Sequence, residues 1–167
     1  MGKITLRFVT GSDALSAMIR LQAGLAMPFT PSHTEAVSQD GKFWIGEHAN
    51  GGMLARPPGY DAAGLMTLPD GTKSERFVVL PCTDAQETAF YAFVNSKIGE
   101  SYDWKSIFSF VDPAWNLHDV NHLICSAMMT AALRACEYFP EPLTVPFHHI
   151  SPRDLFLILS SHIQIDH

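Results

Sequence analysis

Asn121-His122-Leu123-Ile124-Cys125-Ser126-Ala127-Met128-Met129 reads as a cysteine set at the start of an apolar helix. Leu133 follows Met129 by four positions, one helical turn further on. Asp119 and Asn121 stand just upstream as candidate N-caps. A thiol in a first turn lies against unpaired backbone N–H groups and the positive end of the helix dipole. Both favour the thiolate, which is the reactive form. Free cysteine is also among the most buried residue types, so the stretch gains chemical meaning only if a base lies elsewhere.

The base is sought on a hairpin. His33-Thr34-Glu35-Ala36-Val37-Ser38 reads as a short strand, Asp40-Gly41 as a two-residue turn, and Phe43-Trp44-Ile45-Gly46-Glu47-His48 as the return strand. A tight turn pairs Gln39 with Lys42 and so places His33 opposite His48. Directly opposite residues share a sheet face. The same register turns Glu47 to the other face; a three-residue loop or a bulge would reverse that choice. A cysteine nucleophile needs a base and a third group to orient it. The expected set is Cys125 as nucleophile and His33 as base, with His48 the third member and Glu47 in reserve. The competing reading is that His33 and His48 are ordinary polar neighbours across a sheet edge.

Along the rest of the chain, Ile4, Leu6 and Phe8 mark one face of a first strand, and Ser12 or Asp13 caps a helix carrying Leu15, Met18, Ile19 and Leu21. Asn50-Gly51-Gly52 ends the return strand, and residues 55–74 read as loop. Arg76–Leu80 reads as a strand buried on both faces. Thr83 and Gln86 form a capping box for a helix that stops near Gly99. A short helix from Asp103 to Val111, the Cys125 helix to about Tyr138, a helix from Ser151-Pro152 and a closing strand at residues 161–165 complete the pattern. The order predicts a single α+β domain over residues 1–167, an antiparallel sheet packed against helices.

Composition narrows the function. Of 167 residues 47% are hydrophobic and 17% charged, against about a quarter charged in ordinary domains, so a greasy cleft or partner surface is expected. A formal net charge of −6 argues against nucleic acid and acidic membrane surfaces as partners. No signal-peptide core and no apolar run near 18 residues is present, so a cytoplasmic protein without stable membrane insertion is expected. Three cysteines at no framework spacing point to reduced thiols. His118 and His122 are four apart, a spacing zinc sites use, but there is neither HExxH nor a paired CxxC, and His148-His149 reads as surface. No metal and no cofactor is expected. Nucleotide-binding and serine-hydrolase glycine motifs are missing as well.

The order of short motifs resembles a known family. Ser32-His33 opens a strand, and a hairpin returns through His48-Ala49 to Gly51-Gly52-Met53. Later come Gly99-Glu100-Ser101-Tyr102-Asp103, Ile124-Cys125-Ser126 and Ile150-Ser151-Pro152-Arg153-Asp154-Leu155. Over roughly residues 9–157 this resembles the YiiX/YebB-like proteins, circularly permuted papain-like enzymes of the NlpC superfamily and distant kin of lecithin–retinol acyltransferase. The resemblance implies a permuted papain-like fold and a Cys–His pair with a polar third member on the returning strand. In the YiiX-like branch that member is usually a glutamate before an alanine; here His48 precedes Ala49. Tyr102 matches a family tyrosine near the cysteine, implied to help bind substrate and hold an oxyanion. Where the family has Cys-Ser-Glu-Leu, this chain has Cys125-Ser126-Ala127-Met128. The implied activity is that of a cysteine peptidase, amidase or acyltransferase on a cell-wall peptide or a lipid-like acyl group. The alternative is a lipid- or peptide-binding module on an inactivated scaffold.

Overall fold

Ile4, Leu6 and Phe8 alternate with polar neighbours, and the first strand, β1 (Gly2–Val9), forms on that alternation with all three side chains fully buried. The computed structural model describes residues 1–13, 16–17, 29–48, 51–99, 124–139 and 150–160. Four more strands follow: β2 (His33–Val37), β3 (Trp44–His48), β4 (Gly52–Arg56) and β5 (Glu75–Cys82). They build one antiparallel sheet in the order β4-β3-β2-β1-β5. The described helices are α1 (Asp84–Ser96), α2 (Ile124–Ala135) and α3 (Pro152–Ser160). The α+β class with an antiparallel sheet is as the sequence predicts.

The β2–β3 register is also as expected. Ala36 pairs with Ile45 and Val37 with Trp44, the register that predicts His33 opposite His48, and those two rings lie with centroids 5.8 Å apart. The turn differs in detail. Ser38 N–H donates to Phe43 O at 2.9 Å and Gly41 N–H to Ser38 O at 2.8 Å, and Gly41 (φ 72) supplies the turn's positive φ. The loop is therefore four residues, 39–42, rather than two. Both even lengths leave the same side chains facing each other, so the register survives.

Two strand expectations are corrected. Where the sequence predicts a strand end at Gly52 and loop from residue 55, β4 forms: Met53 is fully buried and the segment pairs along all of β3. The glycines before it and Arg56-Pro57-Pro58 after it disguised so short a strand. β5 was expected to be buried on both faces, yet Phe77 and Val79 are exposed. Among the described residues it is an edge strand with helices packed on one side only, and an edge position tolerates Pro81.

Helix α1 begins at the predicted capping box, where the Thr83 side chain accepts from Gln86 N–H and the Gln86 side chain accepts in return from Thr83 N–H. It packs on β1 and α2; α2 lies against β2 and β3, and α3 against β5 and α2. Ile4, Leu6, Phe8, Ala36, Ile45, Met53, Val78 and Leu80 form the sheet's contribution to the core beneath them. The opposite sheet face carries Arg7, Glu35, Trp44 and Phe77. Part of it is covered by residues 57–74. That segment is tied to the end of β1 by Met66 N–H to Thr10 O at 2.9 Å and Thr10 N–H to Ser74 O at 3.0 Å. The Asp103–Val111 helix, the strand at 161–165 and most of the helix through Leu15–Leu21 lie outside the described residues.

Candidate active site

Cys125 occupies the first turn of α2 and is buried, as a thiol among the first free N–H groups should be. His33 is the first residue of β2, at the sheet's rim. Cys125 lies close enough to the His33 ring to act on its charge. Burial opposes a charge on that ring, but Cys125 and then Glu35 outweigh it and hold the imidazole's pKa well above its ordinary value.

Glu35 is the residue that sequence reasoning missed. It follows His33 by two positions on the same strand and therefore shares its face. Its Oε1 lies 3.6 Å from His33 Nε2 and 3.6 Å from His48 Nε2. The two imidazoles, with ring centroids 5.8 Å apart, thus approach one carboxylate oxygen rather than each other. The strand alternation was the available signal: a carboxylate two residues from a candidate base lies on the same face.

Glu35 is completely buried, and its supports explain how a carboxylate persists there. Arg7 Nη1 donates to Oε2 at 2.5 Å, and the Tyr60 hydroxyl donates to Oε1 at 2.8 Å. Burial alone would raise its pKa, but His33 and then Arg7 hold it down to about 2. Arg7 is itself fully buried, stacked 3.6 Å over the Trp44 ring and bonded to Asp61 at 2.9 Å and to Glu75. Close contact with Glu35 pushes the Tyr60 hydroxyl up, after burial, so it stays a protonated donor.

His48 sits opposite His33 as expected, with its Nδ1 3.4 Å from the Tyr60 hydroxyl. Burial, then the nearby His33, lower its pKa. Glu47 pairs with the core residue Met53 and thus faces the helices, away from Glu35. Its buried carboxylate has no hydrogen-bond partner, and burial raises it to about 7. Glu47 thus makes no hydrogen bond to His33, though the charge of His33 acts on it against the effect of burial. Tyr102, the caps Asp119 and Asn121, and His118, His122, His148 and His149 lie outside the described residues.

Cys82, Cys125 and Cys136 are all unbridged, as the sequence predicts. Burial raises the thiols of Cys82 and of Cys136, the latter to about 11. Among the described residues His33, Glu35 and His48 each offer one ligand atom close enough to share a metal ion, the three lying within 4.8 Å of one another. No protein-family model matches the chain, and no curated protein matches it. The chemical class that the site defines on its own geometry is a cysteine–histidine pair backed by a buried carboxylate.

Proposed function

We propose that this chain is a cysteine-dependent hydrolase or acyltransferase of the permuted papain-like, YiiX-like kind, acting on an amide or ester. The observation that carries the reading is the closeness of Cys125, in a helix's first turn, to His33, whose ring is backed by Glu35. A fold alone would not establish activity. Here nucleophile, base and orienting group stand in the order that nucleophilic catalysis needs.

In the proposed reaction His33 takes the thiol proton, and the Cys125 sulfur attacks the substrate carbonyl carbon. Because His33 Nε2 faces Glu35, Nδ1 is the nitrogen left for the sulfur. The carboxylate stabilises the imidazolium that forms. Backbone N–H groups of the first α2 turn receive the oxyanion, a role the family resemblance also implies for a tyrosine. The tetrahedral intermediate expels the amine or alcohol, which takes its proton from His33. Water, or an acceptor hydroxyl or amine, then attacks the thioester with His33 as base and frees the sulfur. The substrate is a cell-wall peptide or a lipid-like acyl compound, in keeping with the low surface charge. No helix among the described residues is long and apolar enough to cross a membrane. A non-catalytic binding module would have no need of the sulfur–imidazole proximity.

Labelling with iodoacetamide at mildly acidic pH tests the proposal. Cys125 should be alkylated ahead of Cys82 and Cys136, and His33→Ala should abolish the preference. Equal, slow labelling of all three thiols would overturn it.

A further inference from the structure

We propose that His33 Nε2, His48 Nε2 and Glu35 Oε1 form a binding site for one zinc-type divalent ion, and that its occupancy silences Cys125. The first half stands on geometry alone; the second rests on the function proposed above.

The distances suit an ion. Zinc bound tetrahedrally to nitrogen and oxygen at about 2.0–2.2 Å holds its ligands roughly 3.3–3.6 Å apart. Both nitrogen-to-oxygen separations here are 3.6 Å. The three ligand atoms lie within 4.8 Å of one another, so the two imidazoles would close towards each other around the ion. The His33 and His48 rings keep side-chain exposures of 24% and 17%, so the cluster lies near the surface although both Nε2 atoms are buried.

The hydrogen bonds leave the right atoms free. His33 Nε2 and His48 Nε2 are both buried without a hydrogen-bond partner. The Tyr60 hydroxyl spends its proton on Glu35 Oε1 and can only accept from His48 Nδ1. That places the His48 proton on Nδ1 and turns the Nε2 lone pair towards the carboxylate. Two electron-rich atoms at 3.6 Å want a cation between them. The surroundings agree. Glu35, Asp61 and Glu75 share the single guanidinium of Arg7, which leaves the cluster with excess negative charge. Tyr60 and Arg7 already hold the outer atoms of two would-be ligands, as second partners do in zinc sites. Two imidazoles favour zinc over calcium or magnesium.

Binding would act directly on the base. An ion on Nε2 fixes the His33 proton on Nδ1, the nitrogen that must receive the thiol proton. The ring can then no longer activate sulfur, and removal of the ion restores it.

The test uses the full chain, stripped with EDTA and titrated calorimetrically with zinc chloride. One equivalent should bind, His48→Ala and His48→Gln should each weaken binding at least tenfold, and Cys125→Ser should leave it unchanged. Circular dichroism confirms that each variant is folded. Cobalt(II) in place of zinc should give no sulfur-to-cobalt charge-transfer band. One equivalent of zinc should slow Cys125 alkylation at least tenfold, reversibly with EDTA, and should not slow it in His48→Gln. Absent zinc binding, binding indifferent to residue 48, or a sulfur band would overturn the site, even if Cys125 labels selectively. Zinc binding without selective labelling of the stripped protein would instead overturn the silencing half along with the enzymatic reading.

Discussion

Glu35 lies across the backbone of Gly46: a Cβ at that glycine would stand 2.7 Å from Glu35 Cγ. The missing side chain is what gives the buried carboxylate room between the two imidazoles. Glu35 cannot step aside cheaply, because Arg7 and Tyr60 hold both of its oxygens. Gly46→Ala should therefore cost about 1–3 kcal/mol of stability, in the range of core overpacking. It should also erode selective labelling of Cys125. Urea denaturation and alkylation rates check both, and a variant indistinguishable from wild type in both would contradict the placement of Glu35.

Arg7 anchors the same carboxylate from the far side. Removing one partner from a buried ion cluster leaves uncompensated charge, worth about 3–5 kcal/mol. Arg7→Met should lose stability on that scale, with Glu35, Asp61 and Glu75 left to repel one another. The exposed pair Lys42–Asp40 offers the contrast. Lys42→Ala should leave the urea midpoint nearly unchanged, since water screens so exposed a pair.

Glu47 makes the protein's stability depend on pH. Its folded pKa, about 7, stands above the ordinary 4.5 because the group is buried without a hydrogen bond. Between those values the unfolded chain has already released the proton that the folded chain retains. Stability therefore falls as pH rises through this window, by on the order of 2–3 kcal/mol, and levels off above it. Glu47→Gln should flatten that slope and be the more stable protein at pH 8. Thermal melts across the window, with EDTA present, decide; an unchanged slope would place the carboxylate in water.

The thiols should separate by reactivity. Burial raises Cys82 and Cys136, so in the native protein at neutral pH only Cys125 should react quickly with a disulfide reagent. All three should react at similar rates in denaturant. Counting the fast phase before and after unfolding measures this, and a native fast phase of two or three thiols would count against it.

Much of the site was legible in the sequence because it is built from local rules. The hairpin register followed from turn parity, and parity held although the loop was four residues rather than two. The first-turn position of Cys125 followed from the apolar spacing after it. Glu35 is not legible from cross-strand pairing, because its partner His33 lies two residues away on its own strand. Nor does a single strand announce the Arg7 side chain, which gathers Glu35, Asp61 and Glu75 from three distant segments. β4 was hidden by its flanking Gly and Pro residues. The exposed face of β5 was hidden because an apolar run does not reveal whether a second layer covers it.

The hairpin of β2 and β3 supplies both imidazoles and the carboxylate, whereas the sulfur arrives on a helix from much later in the chain. Half of the machinery is thus assembled by a short loop closure, with little entropy lost, and half by docking at long range. Any local opening that loosens α2 from the sheet would disconnect nucleophile from base while the hairpin stayed intact. Heat should accordingly extinguish thiol selectivity at a lower temperature than it melts the sheet.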